Sequence, residues 1–214
     1  MVISAGDGLV LQATYYSAPV RPAPAVLMLH QRGRDRTTWD ALALRLQAAG
    51  YAVLTVDQRG HGATGGAEDW ALAQEDARDA LAMLSELPGI APGQLIVIGA
   101  SVGANLGLNA CAELPGCAAA VLLSPGLDYR GVTTAGAMAR LGARPVLIVA
   151  SEGDGNNPAD SITLERMAAG DHQLVILPEA GHGTDMLLKT PDLAERVVAW
   201  LGARVPPPGP VPIS

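Results

Sequence analysis

Ser101 stands in Gly99-Ala100-Ser101-Val102-Gly103, a hydroxyl flanked at two residues' distance by glycines. A serine hydroxyl is a poor nucleophile at neutral pH; it needs a base to take its proton and a third group to orient that base. The chain offers His30, His61, His172 and His182. His182 is the best placed, because Gly181 and Gly183 on either side let an imidazole approach a neighbouring loop. His30 reads as a structural residue of its own loop. His61, in Arg59-Gly60-His61-Gly62, reads as a turn residue with a structural hydrogen bond, and His172 as a surface residue. For the orienting carboxylate, Asp154 in Ser151-Glu152-Gly153-Asp154 ranks ahead of Glu152 and Asp160, because it lies just past an apolar run. Serine, aspartate and histidine then follow in the chain order expected when the nucleophile sits on a strand-to-helix turn.

Such a trio works only if strands deliver it to one rim. The apolar runs Ala25-Leu29, Ala52-Val56, Leu95-Gly99, Ala118-Leu123, Val146-Ala150 and Gln173-Leu177 are continuous, as strands covered on both faces are. Between them Thr37-Ala49, Trp70-Leu87, Val102-Glu113, Asp160-Ala169 and Asp192-Ala203 carry helical spacing. Within the second, Glu75, Asp76, Arg78 and Asp79 read as a solvated face. Gly8-Tyr16 reads as an antiparallel edge hairpin ahead of Pro19, Pro22 and Pro24. The alternation predicts an α/β fold: an open, mostly parallel, doubly wound sheet with helices on both faces and right-handed crossovers. Active groups in such sheets gather at the carboxyl ends of the strands, where Ser101, Asp154 and His182 all fall. We expect one domain over 1–204 and an extended Pro-rich tail over 205–214.

Composition removes other classes. Fourteen basic against 21 acidic residues give a net charge of −7, which disfavours nucleic acid and anionic membrane as partners. No apolar run reaches the length of a membrane span, and no secretory signal is seen, so a cytoplasmic address is expected. Cys111 and Cys117 have no further ligand nearby and read as buried free thiols rather than a metal site; a local disulfide is the alternative for an exported chain.

These features together resemble the α/β-hydrolases, near the small cap-less serine esterase and dienelactone-hydrolase-like branch. The carriers are Leu27-Met28-Leu29-His30-Gln31-Arg32-Gly33, Val56-Asp57-Gln58-Arg59-Gly60-His61-Gly62, the Ser101 turn, Ala150-Ser151-Glu152-Gly153-Asp154 and Gly181-His182-Gly183. The resemblance implies an oxyanion hole from the backbone N–H of Val102 and one from the loop after His30, Arg32 first and Gln31 second. It also implies no metal or organic cofactor. The family usually has His-Gly where this chain has His30-Gln31, so a side chain stands where glycine is common. Dienelactone hydrolases carry cysteine at the nucleophile position, so Ser101 points instead to ester hydrolysis.

Gln31 and Arg34 are candidate substrate-binding residues. Arg32, Arg34 and Arg36 could clamp a carboxylate, against the plainer reading of solvated loop arginines. Only Gly126–Arg144 is available for a lid, with a short helix within Thr133-Leu141, so the site should be shallow and suit small or short-chain acyl esters. The implied partner is a small-molecule ester, and the protein a monomer or homodimer. Thioesterase, lactonase or acyltransferase chemistry would use the same residues, and a non-catalytic binding protein on this scaffold is the reading from a different class.

Overall fold

The apolar runs become the inner strands of one eight-stranded sheet in the computed structural model, which describes residues 1–209. Its strands are β1 (Val2–Ser4), β2 (Val10–Tyr16), β3 (Ala23–Leu29), β4 (Ala52–Val56), β5 (Ile90–Ala100), β6 (Cys117–Leu123), β9 (Val146–Ser151) and β10 (His172–Leu177). A separate hairpin pairs β7 (Asp128–Tyr129) with β8 (Val132–Thr133). The sheet runs β1-β2-β4-β3-β5-β6-β9-β10. Pairing is antiparallel up to β4 and parallel from β4 to β10. The mostly parallel, open sheet is the one predicted.

The helices are α1 (Asp40–Ala48, preceded by a 3-10 turn over Arg36–Trp39), α2 (Trp70–Ser85), α3 (Val102–Glu113), α4 (Ala135–Leu141), α5 (Asn157–Met167), α6 (Asp185–Lys189) and α7 (Leu193–Arg204). The two-residue period of a strand explains why both faces fill. Ala25, Leu27 and Leu29 of β3, with Leu95 and Val97 of β5, join the core of α2 to α5. Val26 and Met28, with Ile96, Ile98 and Ala100, join that of α1, α6 and α7. Each buried Leu, Val or Ile contributes about 1.5–3 kcal/mol.

Element ends moved where caps and turns decide them. The stretch over Thr37-Ala49 opens as a 3-10 turn because the Asp35 carboxylate accepts the Thr37 N–H at 2.9 Å, and α1 starts only at Asp40. The helix expected from Asp160 starts at Asn157, with Pro158 in the first turn where its missing N–H costs nothing. The edge pair expected within Gly8-Tyr16 is instead β2 against the upstream β1.

Two readings are corrected. Asp76 is not on a solvated face: it is buried and takes Nε and Nη2 of Arg59 at 2.6 and 2.7 Å, while Asp7 takes Nη1 at 3.0 Å. Arg59 reaches under α2 from the loop after β4, and a buried carboxylate persists only when paired in this way. These hydrogen bonds, led by those to Asp76, push the Arg59 pKa up. Cys111 and Cys117 are not free thiols but a disulfide, since the end of α3 and the start of β6 bring their Cα atoms to 5.2 Å. Arg144 Nη1 donates to the Cys111 carbonyl at 2.6 Å and, at 3.3 Å each, to those of Leu114 and Cys117, bracing the bridged loop.

Among the described residues no helix is long and apolar enough to cross a membrane. Of the Pro-rich tail, Val205 is buried and its carbonyl accepts the Tyr51 hydroxyl at 3.0 Å. Pro206 to Gly209 form no regular element, and positions 210–214 lie outside the described residues.

Candidate active site

The turn between β5 and α3 is built by exclusion of bulk. A Cβ on Gly99 would land on the Gly103 carbonyl and Ala104 Cα, and one on Gly103 would land on the carbonyls of Leu29 and His30. With both flanks bare, α3 starts directly against the sheet, and Ser101 is forced to φ 55°, ψ −124°. That left-handed conformation is strained for a serine and is held by neighbours. The Ser101 N–H donates to Leu123 O at 2.8 Å, and its carbonyl accepts from Ala104 and Asn105 at 2.9 and 3.2 Å. The Oγ has no hydrogen-bond partner among the described residues and is free to turn toward a base or a substrate.

His182 follows β10 on a loop with Gly181 at φ 86° and Gly183 at φ 58°. Its Nδ1 lies 2.7 Å from Asp154 Oδ2. A carboxylate only accepts, so Nδ1 carries the proton and Nε2 is left to take one. Asp154 stands in the turn after β9, between Gly153 at φ 77° and Gly155 at φ 53°. The histidine loop is seated beside the elbow: Gly183 N donates to Ser124 Oγ at 2.9 Å, and a Cβ on Gly183 would come within 3.3 Å of Ala100 Cβ. The structure thus brings Asp154 and His182 into contact and sets their loop against the strand end that carries Ser101.

The rival residues are occupied elsewhere. His30 is fully buried, its Nδ1 2.8 Å from Gln31 O and its Nε2 accepting Gln58 N–H at 3.1 Å, and burial pushes its pKa down to about 4. His61 is buried beside it, with Nδ1 on Arg59 O. His172 is exposed at the far end of β10. Asp160 accepts Leu127 N–H at 3.1 Å and holds the β7-β8 hairpin, and Glu152 is exposed.

The N–H groups expected to form an oxyanion hole, those of Val102, Arg32 and Gln31, have no acceptor among the described residues. Val102 opens α3, where the helix leaves its first N–H groups unpaired. Gln31 and Arg34, expected at the substrate, both have their side chains engaged within the chain. The Gln31 side chain is buried against the histidine loop, with Oε1 accepting Thr184 N and Oγ1 at 2.8 and 2.9 Å and Nε2 donating to His182 O at 3.3 Å. Arg34 Nη2 pairs with Asp185 at 2.9 Å. Its companions are likewise engaged, Arg32 with Glu68 at 2.9 Å and Arg36 with buried Asp57, so the arginine cluster is neutralised by the chain's own carboxylates. Among the described residues no three His, Cys, Asp or Glu side chains group as metal ligands.

The hairpin over β7 and β8 was not legible beforehand. Its turn residues Arg130 and Gly131 both have positive φ, 61° and 83°, as a tight two-residue turn requires. It is pinned from below: Asn105 Nδ2 donates to Val132 O at 2.7 Å, and Asn157 Nδ2 to Pro125 O at 2.6 Å. It presents Tyr129 edge-on to His182, ring centres 6.4 Å apart. The Gly131 turn next to one of only four tyrosines was the available signal. A cleft of about 380 Å³ beside the imidazole is lined by Asp154, His182, Glu152, Glu179 and Lys189. The larger groove, about 410 Å³, lies across Thr184, between α1 and α6.

The family model for serine aminopeptidase, S33 (Hydrolase_4) matches residues 20–163. The chain belongs to this family of α/β-hydrolases. The match takes in Ser101 and Asp154 and ends before His182. An uncharacterised protein of Mycobacterium tuberculosis is 29% identical over 210 residues, covering 88% of this hydrolase-family chain and 73% of the relative. Est1E from Butyrivibrio proteoclasticus, solved with ferulic acid bound, superposes with a TM-score of 0.81 at 20% identity, covering 96% and 99% of the two chains. Dienelactone hydrolase from Anabaena variabilis superposes at 0.78 with 21% identity, covering 96% of each. At these identities the two structures share the fold with this α/β-hydrolase.

Proposed function

We propose that this α/β-hydrolase cleaves carboxylic esters with small or short-chain acyl groups through an acyl-enzyme on Ser101. The observation that carries the reading is a strained serine at the mouth of α3, beside a loop that packs against the adjoining Ala100 and carries an imidazole oriented by Asp154. His182 Nε2 takes the Ser101 Oγ proton as Oγ attacks the ester carbonyl. The carbonyl oxygen becomes an oxyanion facing the N–H groups of Val102 and Arg32, each such donor being worth about 3 kcal/mol in the transition state. The imidazolium, steadied by Asp154, returns the proton to the departing alcohol. A water activated by the same nitrogen then attacks the acyl carbon, and the acid leaves with Ser101 restored. Every bond is exchanged by side chains, backbone and water, so the proposed steps call on no cofactor.

The preference for small acyl groups rests on the short segment between β6 and β9. It supplies a pinned hairpin and α4 rather than a deep apolar trough, which long acyl chains need. The test is an active-site-directed fluorophosphonate followed by an ester panel of rising acyl length. Labelling is expected at Ser101 and acetate or butyrate esters should be favoured, with Ser101→Ala lowering kcat by about 10⁴ to 10⁶. No labelling, or only a few-fold loss in Ser101→Ala, would sink the reading. Faster turnover of aminoacyl anilides than of esters would transfer it to peptide bonds.

A further inference from the structure

The two loops that must cooperate in the proposed reaction start far apart. The oxyanion loop follows β3, the histidine loop follows the edge strand β10, and β5, β6 and β9 lie between them in the sheet. Asp154 cannot set their relation, because it follows β9 and fixes only the imidazole ring. Ser124, after β6, anchors Gly183 to the floor but makes no hydrogen bond to the oxyanion loop. A side chain has to reach across, and the one that does is Gln31.

We propose that Gln31 is a positioning residue that locks the oxyanion loop to the histidine loop, so that the oxyanion N–H and the general base hold one geometry. Its own backbone is fixed first, its carbonyl accepting from His30 Nδ1 at 2.8 Å and from Arg34 N at 3.2 Å. From that base the amide grips three groups of the facing loop: Thr184 N at 2.8 Å, Thr184 Oγ1 at 2.9 Å and His182 O at 3.3 Å. Because Oε1 only accepts, Thr184 Oγ1 donates to it and is free to accept from Thr38 Oγ1, 2.9 Å away, which extends the link to the turn before α1. The packing is close on the other side too: a Cβ on Gly183 would come within 2.8 Å of Gln31 Cδ, so glycine there makes room for the amide. Both Gln31 and Thr184 are buried, where water cannot replace these bonds.

This inference rests on the ester-hydrolase reading for its catalytic consequence and on geometry alone for the coupling. It is tested with Gln31→Met, which keeps length and removes both polar atoms, and Gln31→Glu, which keeps the acceptor for Thr184 and loses the donor to His182 O. Three quantities are read: kcat and KM on p-nitrophenyl acetate, the fluorophosphonate labelling rate at Ser101, and the low-field proton resonance of His182 Nδ1–H. For Gln31→Met, kcat and labelling should fall together by about 10- to 100-fold with KM within two-fold. The Nδ1–H resonance should broaden through faster exchange, and Gln31→Glu should fall in between. A Gln31→Met enzyme with kcat within two-fold of wild type, or one that loses activity only in proportion to its unfolded fraction, overturns the proposal. Should Gln31→Met fail to fold, an unchanged kcat and resonance in Gln31→Glu would overturn it equally. If the wild type neither labels nor turns over esters, the ester-hydrolase reading fails. The resonance then still decides the coupling, sharp in both variants if it is wrong and broadened in both if it is right.

Discussion

The elbow and the rim around it are held by opposite kinds of force. At the elbow, from Gly99 to Gly103, position follows from what cannot fit: two backbone approaches are so close that only glycine avoids collision, and Ser101 is pushed to a positive φ as a result. At the rim, the loops after β3, β6 and β10 are held by what is bonded: Gln31 to Thr184, Ser124 to Gly183, Asn105 to Val132, Asp57 to Arg36 and Ala63. Repulsion is short-ranged and leaves no choice of residue. Hydrogen bonding leaves several, since any amide or hydroxyl of the right reach will serve. An elbow should therefore tolerate no added methyl, whereas a rim should degrade one bond at a time.

The largest effect is expected where that contrast is starkest. Gly103→Ala places a methyl on the carbonyls of Leu29 and His30, main-chain atoms of a central strand and its loop that cannot swing aside. We expect a loss of about 3–5 kcal/mol in urea unfolding, together with loss of activity. The matching change at the rim, Ser124→Ala, strands one buried N–H, that of Gly183, and should cost about 1–3 kcal/mol. Equal costs for the two would dissolve the distinction between exclusion and bonding.

The same contrast explains what was legible in the sequence. Glycine at fixed spacing around a serine after an apolar run is a steric signature, and it located Ser101, β5 and α3 together. Asp154 was found by its place just past the apolar run of β9, and His182 by the glycines on either side of it. Asp76 was misread because helical periodicity separates polar from apolar positions but does not say whether a carboxylate meets water or a guanidinium from another loop. The bond from Thr184 to Gln31 was invisible because no local pattern names a partner 153 residues away. The disulfide ranked behind free thiols because its formation depends on where a helix end meets a strand start, a three-dimensional fact.

The rim's interior should respond to pH through His30. Burial depresses His30 to about 4 from an ordinary 6.5, so the folded protein keeps it neutral where the unfolded chain would protonate it. The sign follows: this contribution is fully present above pH 6.5, begins to fall as pH drops below it, and is spent near pH 4, about 3 kcal/mol in all. Asp35 and Glu68 are held below the usual carboxylate range, the first by hydrogen bonds from Thr37 and the second by Arg32. They remain ionised through the upper part of the window, so a loss between pH 6.5 and 5 reports imidazole rather than carboxylate. Urea unfolding at half-unit steps should show that slope, and His30→Gln should flatten it. An unchanged slope in the variant would place the acid-sensitive group elsewhere.

The smallest effect is expected at the far end of α3, and it asks whether the elbow is sealed by its own contacts. The helix carries Ser101 at its first turn and Cys111 near its last, and the bridge to Cys117 closes a loop with a sequence separation of 6. Loop-closure entropy for so short a loop gives about 2 kcal/mol. Wild-type protein reduced with dithiothreitol should therefore unfold about 2 kcal/mol more easily than the oxidised form. Because Gly99 and Gly103 fix the first turn against β3 and β5 without help from the other end, kcat should stay within two-fold. A ten-fold fall on reduction would mean that the elbow borrows its geometry from the bridged end of the helix, and steric exclusion at the two glycines would no longer account for the position of Ser101.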